Sequence, residues 1–126
     1  VIRDSVASRG LGDVYSRQVE RGGRAYFSAM EAPQRDWESI LAVFENGLEH
    51  EVVVTEKIND LMTTAIQEND HATRSFLNWF VDEQVEEEAS FDSIIKQLKL
   101  ISGSGQGLFM IDKEMGTRIF VDPNQE

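Results

Sequence analysis

Cysteine is absent from the 126 residues. Its absence excludes a disulfide framework, a thiolate metal site and a cysteine nucleophile. Proline occurs only at Pro33 and Pro123. Basic residues are few: 12 Lys and Arg stand against 23 Asp and Glu, a formal net charge of −11. A protein that grips nucleic-acid phosphates needs a basic face, so no nucleic-acid partner is expected. Long hydrophobic runs are missing too. None approaches the roughly 20 apolar residues of a membrane helix, and Val1-Ile2-Arg3-Asp4 does not open an apolar secretory signal. No membrane association is expected, and the cytoplasm is the expected location. What is present is a chain of single-domain size, read as one domain over 1–126, whose acidity suits cation capture or a basic partner.

Between Pro33 and Gly103 the only glycine is Gly47, and so long a stretch without breakers favours helix. From Trp37 the residues Leu41, Phe44, Leu48, Glu51, Thr55, Ile58, Met62 and Ala65 follow at alternating spacings of four and three. That is the seam of a packed helix, expected over about 37–68. Asn69-Asp70 interrupts it, and Asp70 is a good N-cap. Thr73, Leu77, Phe80, Gln84, Glu87, Phe91, Ile94, Leu98 and Ile101 then repeat the spacing, so a second helix is expected over about 71–101. A short turn between two long helices makes an antiparallel hairpin. The class is therefore all-α. Asp13 to Glu20 reads as a short helix closed by Gly22-Gly23, residues 22–36 as an extended connection, Ser102 to Gly107 as a break, and Leu108 to Arg118 as a short final helix before a tail. Tyr26, Phe27 and the methionines are expected to pack, and Trp79 to form wall.

Both seams turn polar at mid-length. Glu51 precedes Asn69 by 18 residues and Glu87 follows it by 18, so an antiparallel hairpin brings the two to one level, with Gln84 one turn nearer the connection. A buried carboxylate must be protonated, paired or bound to a cation. Beside this seam Asp82, Glu83, Glu86, Glu87 and Glu88 put five acids into seven residues without a Lys or Arg. Each like-charge pair at i, i+3 or i, i+4 costs roughly 0.2–0.5 kcal/mol. Oxygen ligands without sulfur suit hard or borderline cations, iron and manganese among them. The acidic run by itself also fits a solvated face, and a buried Gln84 fits simple hydrogen bonding. His50 lies about 100° round the helix from Glu51 and reads as a surface residue; His71, in the first turn of the second helix, does too.

These residues bring a family into view. The stretch from Glu20 to about Arg118 resembles the bacterial and archaeal non-haem ferritins. The resemblance is carried by Glu20-Arg21-Gly22-Gly23, Pro33 with Trp37-Glu38-Ser39, Leu48-Glu49-His50-Glu51, Asp70-His71-Ala72-Thr73, Phe76-Leu77-Asn78-Trp79-Phe80, Glu83-Gln84-Val85-Glu86-Glu87-Glu88 and Gly107 to Glu114. It implies a ferritin-like four-helix bundle in which residues 22–36 are the long crossover and the two seams are the third and fourth helices. It implies that Glu51 is an iron ligand of the third helix, that Gln84 and Glu87 are the pair of the fourth, and that Glu83 and Glu86 belong to a neighbouring, weaker iron site. The implied chemistry is ferroxidase chemistry at a di-iron centre, Fe(II) oxidised to Fe(III) by dioxygen or peroxide, with storage in a 24-subunit homo-oligomeric shell.

Residues 1–13 do not share the resemblance. Counted back from Arg21-Gly22-Gly23, the family's Glu-x-x-His motif falls on Ala7 and Gly10, neither of which can ligate metal through its side chain. The expectation is a member shortened at its N-terminus, without the first helix and most of the second. A lone hairpin leaves its apolar stripe open, so association is expected, either in the shell or as a self-complementing dimer that pairs two hairpins into one bundle. The alternative function is a non-catalytic remnant, a helical interaction protein with weak metal binding or none.

Overall fold

The computed structural model describes residues 15–26 and 28–117. Among these residues four helices follow in order: α1, described over residues 15–20, α2 (Ile40–Gln67), α3 (His71–Ile101) and α4 (Gly105–Met115). The described residues contain no strand. Two compact units divide the chain, and Arg35–Arg118 holds α2, α3 and α4. Among the described residues no helix is long and apolar enough to cross a membrane.

Local chemistry sets the ends of α2 and α3. Ser39 is the N-cap of α2 and its side chain accepts from the Ala42 N–H at 3.1 Å. At the other end Asn69 takes φ +56, while the Asp70 N–H reaches Ala65 O at 2.8 Å and the Asn69 N–H reaches Ile66 O at 3.1 Å. This is a Schellman closure with asparagine in the left-handed position. The next residue immediately starts α3: Asp70 Oδ1 accepts from the Thr73 N–H at 3.0 Å and Oδ2 from the Thr73 hydroxyl at 2.7 Å. One residue thus ends the turn and begins a helix, which is why α2 and α3 fold back on each other as an antiparallel pair. Helices of 28 and 31 residues have lengths of about 42 and 46 Å at 1.5 Å per residue.

The core lies along the expected seams. Ala65 is buried on α2, and Leu77, Phe80, Gln84, Ile94, Ile95 and Leu98 on α3. Leu41, Phe44, Leu48, Glu51, Thr55, Ile58 and Met62 are half-buried. Gly47 lets the two helices approach: a Cβ there would lie 2.4 Å from Phe91 Cε1. The Phe91 ring fills that space and leans on Phe44, ring centroids 6.0 Å apart. At the far end Ile111 of α4 joins Ile94 and Leu98, with Leu41, Phe44, Ile101, Leu108 and Met115 around them.

Several expectations are corrected. The first long helix begins at Ile40 rather than Trp37, because the Ser39 cap fixes the start; Trp37 stays exposed, its indole N–H donating to Asn46 Oδ1 at 3.3 Å. The last helix begins at Gly105 rather than Leu108. Ser104 accepts from the Gly107 N–H at 3.4 Å and starts it early. Gly107 is a packing residue, since a Cβ there would meet Ile101 at 2.7 Å. Tyr26 does not pack: it is 75% exposed and lies under the Arg24 guanidinium, 4.8 Å from its ring centroid. Among the methionines only Met62 and Met115 are partly buried; Met30 and Met110 are exposed. The short first helix is present over 15–20 and closes on Gly22 at φ +76, as the glycine pair implies. The readings of Ala7, Gly10 and Phe27 fall outside the described residues.

Candidate functional site

The site is built at mid-hairpin where both seams turn polar. Among the described residues Gln84 is the only buried polar one, 7% exposed, and it faces α2. Its Nε2, with two protons, lies within hydrogen-bond distance of three oxygens that share them: Glu51 Oε2 at 3.2 Å, the Glu51 backbone carbonyl at 3.2 Å and Thr55 Oγ1 at 3.1 Å. The Thr55 hydroxyl in turn donates to Glu88 Oε1 at 2.5 Å. A buried polar group needs such partners, and here they all come from the two long helices. Glu51 and Thr55 are one turn apart on α2, as Gln84 and Glu88 are on α3, so one face of each helix presents two oxygen-bearing side chains to the other.

The structure brings Glu51 and Gln84 into direct contact. Glu87 is half-buried on α3 and makes an interaction of its own. Glu83 is half-buried and Glu86 is exposed. Burial first, and then the negative charge of Glu86, push the Glu83 carboxyl above its ordinary value. His50 and His71 are exposed, as their positions imply. Among the described residues no three His, Asp or Glu side chains are gathered closely enough to hold a metal ion by themselves. The arrangement therefore supplies one wall, hard oxygen donors at a helix–helix contact. Trp79 is half-buried one turn before Glu83, edge-on to Phe80 at 4.9 Å between centroids.

Sequence reasoning missed Glu88. It was one of five neighbouring acids, and nothing in that run separates it from a solvated residue. The available signal was its spacing: Glu88 stands one turn beyond the seam residue Gln84, on the face that meets Thr55.

An all-helical hairpin whose buried middle is held by glutamate, glutamine and threonine defines the class: a helical-bundle protein with a carboxylate-bearing core. Comparison with known proteins then gives the family. The family model described as a ferritin-like domain matches residues 11–101, and the chain belongs to the ferritin family. A bacterial non-heme ferritin of Staphylococcus aureus is 45% identical over 107 residues, which cover 85% of this chain and 64% of that protein. A probable bacterial non-heme ferritin-like protein of Haemophilus influenzae is 43% identical over 97 residues, 77% of this chain and 59% of that protein. A closed form of the Archaeoglobus fulgidus ferritin, engineered by site-directed mutagenesis, superposes with a TM-score of 0.83 at 44% identity and covers 90% of this chain and 70% of that one. The chain thus spans about three-fifths of the length of the curated relatives it matches.

Proposed function

We propose that this chain binds Fe(II) as substrate at the mid-hairpin wall, takes part in its oxidation, and stores the product in a homo-oligomeric shell. One observation carries the reading: a carboxylate and a carboxamide, Glu51 and Gln84, are held together inside a helix–helix contact. Its support is the family membership and the naming of its relatives as non-heme ferritins.

In this reading Glu51 and Glu87 are the iron ligands and Gln84 completes the wall. Charged oxygen donors bind Fe(III) more strongly than Fe(II), because the smaller, more highly charged ion is the harder one. They therefore favour loss of an electron from each Fe(II) to dioxygen or peroxide. With dioxygen, two Fe(II) give two electrons, and uptake of two protons makes hydrogen peroxide. Glu83 and Glu86 form a second, weaker site on the same helix. Their mutual repulsion, part of what lifts the Glu83 carboxyl, is relieved by a cation between them. The oligomer is a 24-subunit shell in the cytoplasm.

The test is aerobic Fe(II) oxidation, followed by near-ultraviolet absorbance of the Fe(III) product, with metal analysis of the sized protein. The wild-type chain is expected to oxidise Fe(II), and Glu51→Ala or Glu87→Ala to remove that activity. A second reading is favoured by the lack of a closed three-ligand group among the described residues: a helical interaction protein without redox chemistry. It requires that the wild type take up no Fe(II) and that neither substitution change anything.

A further inference from the structure

We propose that Gln84 is a positioning residue: one end of its amide grips the backbone and the side chain of Glu51 together, and so holds the Glu51 carboxylate in place before a cation arrives. The inference rests on the reading of Glu51 as an iron ligand and adds that Gln84 acts through it.

Two acceptors on one residue make the grip. Gln84 Nε2 lies 3.2 Å from the Glu51 carbonyl oxygen and 3.2 Å from Glu51 Oε2. Both oxygens can only accept, so the N–H end of the amide faces them, and its two protons match the two acceptors. The two oxygens differ in freedom. The carbonyl belongs to the backbone of α2 and moves only if the helix does. Oε2 ends a side chain that turns about several bonds. An amide anchored on the first oxygen therefore restrains the second. Gln84 is itself buried on α3, so packing has already ordered the group that does the holding. An N–H bond to a carboxylate is also among the stronger hydrogen bonds. Thr55 Oγ1, 3.1 Å from the same nitrogen, is a further acceptor and is not needed for the grip.

The consequence falls on the other carboxylate oxygen. Glu51 and Gln84 make no further hydrogen bond among the described residues, so Glu51 Oε1 keeps its lone pairs. It is left for a cation, on a side chain whose conformation is already set. A glutamate without this restraint would have to be ordered as the cation binds, and that ordering lowers affinity. Groups that orient a metal ligand typically carry a 10–100-fold effect on metal affinity.

Two measurements on the intact chain test the proposal, with Gln84→Met as the main variant and Thr55→Val as its control. Methionine keeps the length of glutamine and removes the donors. Gln84→Leu, which continues the apolar seam, is a second donor-free variant. Thr55→Val deletes a hydrogen bond from the same polar cluster and leaves both acceptors of the grip. The first measurement is metal-free: crystal structures of wild type and variants. The Glu51 carboxylate is expected to leave its wild-type position in Gln84→Met and Gln84→Leu and to keep it in Thr55→Val. A Glu51 side chain that stays in place without the Gln84 amide overturns the proposal. The second is anaerobic titration with Co(II), read by its visible absorption. Gln84→Met and Gln84→Leu are expected to weaken binding about 10-fold, with Thr55→Val within a few-fold of wild type. Unchanged affinity in the Gln84 variants overturns the proposal. So does an equal loss in Thr55→Val, which would assign the effect to the polar cluster at large. If the wild type binds no Co(II), or Glu51→Ala binds it equally well, the ligand role of Glu51 fails instead, and the metal-free structures still decide the grip.

Discussion

Gln84 shows what one residue does in this hairpin. A leucine there would continue the seam. A glutamine instead recruits Glu51 and Thr55 from the facing helix and turns an apolar contact into an oriented polar one. Glu83 is the other informative residue. Burial and Glu86 raise its carboxyl pKa in the folded chain, whereas in the unfolded chain it has its ordinary value. Between those two values the native state holds more protons, so the contribution of Glu83 is full below the ordinary carboxylate range and is lost as pH rises through the folded value. Glu83→Gln cannot charge. Its urea midpoint relative to the parent should therefore increase between about pH 4 and about pH 7. The reverse trend would mean that Glu83 is stabilised in its charged form.

At the scale of elements, the α2–α3 turn and the Gly47–Phe91 contact decide how the two helices meet. Asp70→Ala removes both side-chain bonds to Thr73 and is expected to cost about 1 kcal/mol of stability, measured by urea unfolding. Gly47→Ala sets two effects against each other. Helix propensity favours alanine by about 1 kcal/mol. The added Cβ, however, would lie 2.4 Å from a Phe91 ring already packed on Phe44, and overpacking of that kind costs about 1–3 kcal/mol. A net loss of stability is expected, and Phe91→Leu in the same chain should recover part of it. A gain on Gly47→Ala alone would show that the helices separate freely there. The helix boundaries show how far sequence reading reached. The hairpin turn was legible because Asp70 has a capping side chain followed by a clear apolar period. The start of α4 was not, because Gly105 and Gly107 read as breakers until Ile101 is seen occupying the space a side chain at Gly107 would need.

For the whole molecule the question is what α3 leaves uncovered on α2. At 100° per residue, Val43 and Leu61 fall on one flank of the buried face of α2 and Val52 on the other, and all three are exposed. Val53, nearly opposite that face, is exposed too. The apolar sector of α2 is thus wider than one helix covers, which marks an association surface. Light scattering behind size exclusion should give a mass that is a multiple of 14.3 kDa, near 24 subunits for a shell and two for a paired hairpin. Val43→Asp with Leu61→Asp should lower it while leaving helix content by circular dichroism unchanged. A monomeric wild type at micromolar concentration would refute the association reading.

Sequence alone determined the period, the turn and the acid-bearing middle of each long helix. These depend on local rules: apolar spacing, capping side chains and the absence of breakers between Pro33 and Gly103 apart from Gly47. Mirror counting about Asn69 put Glu51 and Glu87 at one depth, and the contact between Glu51 and Gln84 lies within a turn of that level. Tertiary structure decided which of the five clustered acids meets Thr55 across the gap. Periodicity fixes the face a residue lies on, but not the partner its rotamer finds across the gap. Only the packed pair shows that the Thr55 hydroxyl donates to Glu88 and that the Gln84 amide reaches both Glu51 and Thr55.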